Sequence, residues 1–213
     1  MNTPLIKERL ADPNVTLCAV TKKHTREEVD ELYRLGVRTF AENRVQEFLE
    51  KYNPDYNWQI IGHLQTNKVK YVVGKVSLIQ SVDSLRLARE IEKQAAKLDI
   101  VQDILVEIKV SKQDENKTGL PIEELDGLLE EIAKMPHLRL KGLMTIASHT
   151  DDEQLIASEF DLAHELFEKE KKKYPTMDIL SMGMSSDYPI AIAHGSNMVR
   201  IGTALFENPE ISQ

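Results

Sequence analysis

The feature that most constrains this chain is an alternation running from end to end, in which short apolar runs take turns with longer amphipathic ones. Eight runs read as strands: Val15–Lys22, Val37–Asn43, Trp58–Leu64, Val76–Asp83, Ile104–Val110, Leu140–Ala147, Ile179–Ser185 and Met198–Phe206. They are short and rich in Val, Ile and Leu, as strands covered on both faces are. Helical patterns fill the gaps. Thr25-Arg26-Glu27-Glu28 has the form of a capping box, Val29, Leu32, Tyr33 and Leu35 follow on one face, and Gly36 closes the helix. Ser84 caps Leu85–Leu98, and Pro121 opens Ile122–Lys134 at a first-turn position that tolerates proline. Glu153–Tyr174 is long, charged and amphipathic, and weaker helices fit Arg44–Tyr52, Thr66–Val73 and Asp187–His194. Repeated β-α order implies a parallel sheet. Eight such units in about 200–250 residues is the arithmetic of a single (β/α)8 TIM barrel. On pattern alone, a doubly wound open sheet is the alternative.

Composition narrows the function classes. A chain of 213 residues without a Pro/Gly/Ser-rich linker fits one domain over 1–213, with a mostly aliphatic core because aromatics are only 6%. Its charge of 27 − 35 = −8 argues against binding to nucleic-acid backbones. The run Lys169–Lys173 reads as a solvated helix end, where cations suit the dipole. One cysteine, Cys18, excludes an intrachain disulfide and a cysteine zinc site. His24, His63, His137, His149, His164 and His194 show no paired ligand spacing, so no metal is expected. Lys7, Glu8, Arg9 and Asp12 interrupt any leader-like apolar start, and no 18-residue apolar run offers a membrane span. A cytoplasmic, reducing location is the expectation. No nucleophile elbow, P-loop or dinucleotide fingerprint occurs.

In a barrel, chemistry belongs at the C-terminal ends of the strands. Lys22 ends the first strand, on the face that Val20 and Cys18 share. A lysine partly withdrawn from water there suits Schiff-base formation with an aldehyde. Ser185 and Ser186 after the seventh strand, with Gly202 and Thr203 on the eighth, offer the hydroxyls and close backbone approach of a phosphate cup. Each feature alone also reads as ordinary capping or turn chemistry. A reactive lysine facing a phosphate cup is what pyridoxal phosphate requires.

Several segments, in order, resemble those of the pyridoxal phosphate homeostasis proteins (YggS/PROSC type): Ala19-Val20-Thr21-Lys22, Ala41-Glu42-Asn43, Ile61-Gly62-His63-Leu64-Gln65-Thr66-Asn67-Lys68, Lys117-Thr118-Gly119, Leu180-Ser181-Met182-Gly183-Met184-Ser185 and Val199-Arg200-Ile201-Gly202-Thr203. The similarity runs from about Val15 to Phe206. It implies a barrel like the alanine racemase N-terminal domain, with pyridoxal 5'-phosphate held on Lys22 as an internal aldimine. It places Ser185, Ser186, Gly202 and Thr203 on the phosphate, Arg200 at the pyridine nitrogen and Asn43 near the ring substituents. An arginine there leaves the pyridine nitrogen neutral, which weakens carbanion chemistry.

The resemblance therefore implies storage, buffering or delivery of the cofactor without strong catalysis, with apo-enzymes that need the cofactor as partners and a monomer or weak homodimer as the assembly. The alternative is a low-activity amino acid racemase, with Lys22 as one base and His63 or His149 as the other. The chain ends soon after Phe206, where the β-rich domain that carries a racemase's tyrosine base is not expected. Four residues depart from the family's usual pattern: Ala41 and Arg44 flank Glu42-Asn43, Thr21 replaces the commoner serine and Glu207 a glycine.

Overall fold

A computed structural model describes residues 1–111 and 118–207, so Lys117 and most of the Ser111–Gly119 loop lie outside the described residues. The strands are β1 (Thr16–Val20), β2 (Thr39–Glu42), β3 (Asn57–Ile60), β4 (Leu78–Val82), β5 (Gln102–Lys109), β6 (Leu120–Pro121), β7 (Leu138–Thr145), β8 (Ile179–Ser181) and β9 (Met198–Ile201). The helices are α1 (Thr3–Ala11), α2 (Arg26–Arg34), α3 (Val45–Lys51), α4 (Leu85–Lys97), α5 (Leu125–Ile132), α6 (Glu153–Lys171), α7 (Tyr188–Ala193) and α8 (Thr203–Phe206). The strands pair in the order β4-β3-β2-β1-β9-β8-β7-β5, and β4 pairs back onto β5. All the pairings are parallel, so eight strands close into a (β/α)8 barrel, with the two-residue β6 added at the rim of β5. The β4–β5 closure excludes the open sheet.

The local signals that set these elements are side-chain caps. Thr25 and Glu28 form the reciprocal capping box of α2, and Ser84 accepts from the Leu87 amide at the start of α4. The strands end earlier than their apolar runs do. Gly183, at φ +99°, turns the chain after β8, so the segment Met182–Ser185 lies beyond that strand. The last run divides, with β9 stopping at Ile201 and Thr203–Phe206 turning into α8. Pro121 ends β6 and precedes a 3₁₀ turn at Ile122–Glu124, so it does not occupy the first turn of α5. The Thr66–Val73 pattern is a 3₁₀ segment, Thr66–Tyr71. The basic run at the end of α6 makes ion pairs, Lys169 to Asp126 at 3.3 Å and Lys173 to Glu170 at 3.4 Å.

Two layers of core follow from the two faces of the barrel. Between strands and helices lies the large shell, in which the ring centroids of Phe40 and Phe48 are 5.6 and 5.7 Å from that of Trp58. Inside the barrel lies a smaller apolar cluster of Cys18, Ala41, Leu78, Leu105, Met144 and Met198. Strands β7 and β8 approach so closely that a Cβ on Gly142 would stand 1.7 Å from the Ile179 carbonyl oxygen, which admits only glycine.

Candidate functional site

Across the barrel interior runs a chain of buried hydrogen bonds from five strands. Gln80 Nε2 donates to Gln59 Oε1 at 2.6 Å, Ser181 Oγ to Gln80 Oε1 at 2.6 Å, and Arg200 Nη1 to Ser181 Oγ at 2.6 Å. Arg200 Nη2 donates to the Thr145 carbonyl at 2.8 Å. Arg200 is 2% exposed, and among the described residues it forms no ion pair. Burial pulls its pKa down, opposed by Cys18, Glu107 and Asp187. A guanidinium starts high enough to stay charged. Its fixed fork uses two N–H groups in these bonds and keeps others for the cavity above.

That cavity, of about 290 Å³, gathers the seven residues the resemblance assigns to the cofactor: Lys22, Asn43, Ser185, Ser186, Arg200, Gly202 and Thr203 all line it. Val20, Ile61, Ile146, Met184 and His149 complete the wall, and among the described residues no carboxylate lines it. At one end, the backbone N–H groups of Gly202 and Ala204 converge on Ser185 Oγ, at 3.3 and 3.4 Å. A Cβ on Gly202 would lie 3.2 Å from the Val20 carbonyl oxygen, so this is a place for bare backbone. Asn43 is fixed by the absence of a side chain opposite: a Cβ on Gly62 would lie 2.3 Å from the Asn43 carbonyl oxygen. The Asn43 Oδ1 atom is buried without a hydrogen-bond partner among the described residues.

Lys22 differs from expectation. It stands two residues past the end of β1 and is exposed, because the rim opens to solvent there. Cys18 is fully buried beneath, and burial pushes its thiol up to about 12, so it is inert as a nucleophile. Of the two histidines considered as a second base, His149 lines the cavity. His63 lies in a neighbouring cleft with Arg44 and Lys68, its Nδ1 4.0 Å from Asp83 Oδ2. The departures from the family pattern are accommodated. Thr21 keeps its hydroxyl bonded to Glu42, Ala41 fits the inner cluster, and Arg44 and Glu207 are exposed.

Sequence reasoning missed the support beneath the site, since Gln80 and Ser181 lie on non-neighbouring strands that only barrel closure brings together. It also missed an acidic pair over β4 and β5. Glu107 is 3% exposed and accepts from Thr118 Oγ1 at 2.7 Å. Burial raises its pKa, the Thr118 bond opposes this, and Asp83 raises it further. Burial likewise raises Asp83, with His63 opposing.

A closed parallel barrel with a lysine at the end of its first strand and an amide-lined cup at its last two defines a class of barrel domain. The sequence profile of the alanine racemase N-terminal domain family matches residues 1–209. The pyridoxal phosphate homeostasis protein of Aquifex aeolicus is 43% identical over 195 residues, covering 89% of this chain and 85% of that protein. The protein of the same name from Escherichia coli K12 is 37% identical over 203 residues, covering 90% and 85%. PipY of Synechococcus elongatus, solved with PLP bound, is 33% identical with a TM-score of 0.87, covering 95% of this chain and 100% of PipY. Alanine racemase of Clostridium difficile, at 19% identity and a TM-score of 0.77, shares the fold over 97% of this chain and 56% of its own. The chain belongs to the alanine racemase N-terminal domain family and, within it, to the pyridoxal phosphate homeostasis proteins.

Proposed function

We propose that this chain is a single pyridoxal 5'-phosphate-binding unit over 1–213 that stores, buffers or delivers the cofactor inside the cell, with apo-enzymes as recipients and little catalysis of its own. The observation that carries this reading is one cavity in which a lysine, a buried arginine and a cup of backbone amides meet, with no carboxylate among its described lining residues. The residues fit the group. The converging amides of Gly202 and Ala204, with the hydroxyls of Ser185, Ser186 and Thr203, suit a phosphate dianion. The orphaned Asn43 Oδ1 suits a ring hydroxyl donor. Arg200, held by Ser181 and Thr145, would present an N–H to the pyridine nitrogen and would favour its unprotonated form. Lys22 would supply the amine that holds the cofactor's aldehyde carbon. When bound, the cofactor supplies an electron sink, and Arg200 weakens that sink.

The same arrangement supports carrying over catalysis. Two-base racemisation needs a proton acceptor on each side of the substrate carbon. His149 is the one histidine lining the cavity, and it is exposed. Protein reconstituted with pyridoxal phosphate and incubated with L-alanine in D2O is expected to exchange the Cα proton no faster than free cofactor does. The visible absorbance of the loaded protein is expected to vanish in Lys22→Ala. Exchange well above the free-cofactor rate, or a colourless wild type, would overturn this reading.

A further inference from the structure

The two peptide groups that bracket Lys22 are both held by one helix. On its N-terminal side the Thr21 carbonyl accepts from Lys51 Nζ at 2.7 Å. On its C-terminal side the Lys23 N–H donates to Glu47 Oε2 at 2.9 Å. Glu47 and Lys51 are one turn apart on α3 and pair at 3.7 Å. Between them stands Glu42, the last residue of β2, whose Oε1 accepts from Lys51 Nζ at 2.7 Å and from Thr21 Oγ1 at 2.5 Å. The Thr21 N–H donates to the Ala41 carbonyl at 3.1 Å. Every polar backbone or side-chain atom of Thr21 is thus tied, and Lys23 is held at φ +65°, a conformation that non-glycine residues rarely adopt.

Stability alone does not account for this arrangement. The Lys51 and Glu42 side chains are 7% and 0% exposed, and Glu42 Oε2 has no hydrogen-bond partner among the described residues. A buried ion pair commonly stabilises less than an apolar pair of the same volume. What the charges do hold is the backbone on both sides of a lysine whose own side chain stands exposed at the rim.

We propose that Lys51 and Glu47, joined through Glu42, are positioning residues of Lys22. They fix the direction in which its side chain leaves the end of β1, so that the amine enters the cavity instead of sweeping the rim. The proposal rests on the reading of Lys22 as the cofactor lysine, and it adds a reason for a charged face on α3.

Two variants test it. Glu47→Ala removes the acceptor of the Lys23 N–H from a partly exposed position. The double variant Glu42→Gln/Lys51→Met removes the buried pair without leaving one charge uncompensated. In cofactor-free protein, amide hydrogen exchange of the peptide spanning 21–24 is expected to speed up roughly tenfold in both variants, with peptides from β5 and β7 unchanged. With pyridoxal phosphate, borohydride reduction and peptide mass spectrometry read the fraction of Lys22 labelled. The half-saturating concentration is expected to rise roughly tenfold or more in both variants. Lys51→Arg, which restores a cation beside the Thr21 carbonyl, is expected to recover part of the loss. Unchanged exchange and half-saturation in the folded variants would overturn the clamp while leaving wild-type labelling at Lys22, and so the cofactor reading, intact. Exchange that rises across the whole barrel would also overturn it, as a general structural effect. Failure of wild type to label at Lys22 would overturn both.

Discussion

Over β8, β9, β1 and β2 the rim of the barrel presents backbone amides, hydroxyls, Lys22 and Arg200, whereas over β4 and β5 it presents two carboxyl groups, Asp83 and Glu107. The first half receives negative charge; the second holds acids that burial drives toward their neutral form. The difference shows how a chain with a net charge of −8 offers an anion site. Attraction is local, built from oriented N–H groups and one desolvated guanidinium, and burial makes Asp83 and Glu107 protonate more readily than free acids do. The Arg200 fork, which lies among both sets of charges, is what connects the halves.

The largest expected effect comes from filling the cup. Gly202→Val places methyl groups where a Cβ alone already stands 3.2 Å from the Val20 carbonyl oxygen. Its affinity for pyridoxal phosphate, measured by equilibrium dialysis, is expected to fall about tenfold or more, or at least 1.4 kcal/mol. A wild-type affinity would mean that the cup is not where the phosphate sits.

Next comes the support under Arg200. Ser181→Ala leaves Arg200 Nη1 and Gln80 Oε1 each without a buried partner, at a cost of about 1–3 kcal/mol. Thermal unfolding should register a loss of roughly 2–4 °C for each kcal/mol. The visible spectrum of the loaded protein should shift as the arginine loosens. A shift of Tm without a spectral change would confine the belt to a packing role.

The smallest effect belongs to the acidic half. The pKa of Glu107 is raised in the folded state, so folding favours its protonated form. That contribution is fully present below the carboxyl's unfolded value of about 4.3 and is lost as pH rises through the folded value. Glu107→Gln should therefore gain Tm over wild type at pH 8, by roughly 2–4 °C for each kcal/mol relieved, with the gain shrinking toward pH 4. Equal Tm differences at both pH values would contradict a raised pKa at this position.

The two halves were unequally legible in the sequence. Lys22, Ser185 and Gly202 were readable because strand ends are marked by where apolar runs stop, and a barrel sends those ends to one rim. The acidic half was not, because Asp83 and Glu107 are adjacent only after β4 pairs with β5, and a lone acid after an apolar run looks like any solvated turn. Closure hides the Gln59–Gln80–Ser181–Arg200 belt for the same reason, since its last two links span 101 and 19 residues. Local signals carried the fold further. The Thr25 capping box and the Ser84 cap mark helix starts that the structure keeps. The helix α1 escaped because Lys7-Glu8-Arg9 breaks any apolar stripe, and only Ile6 in it is buried. The run Met198–Phe206 looked like one strand because Ala204, Leu205 and Phe206 continue its apolar character, yet Gly202 turns the chain into α8.

The central claim is that one lysine among many on this chain is the cofactor lysine. It is tested most directly by loading the full chain with pyridoxal phosphate, reducing with borohydride and mapping the modified peptide by mass spectrometry. The account predicts a single modified residue, Lys22, at one cofactor per chain. Modification centred on another lysine, such as Lys68 in the neighbouring cleft, or spread evenly over the surface lysines, would contradict it.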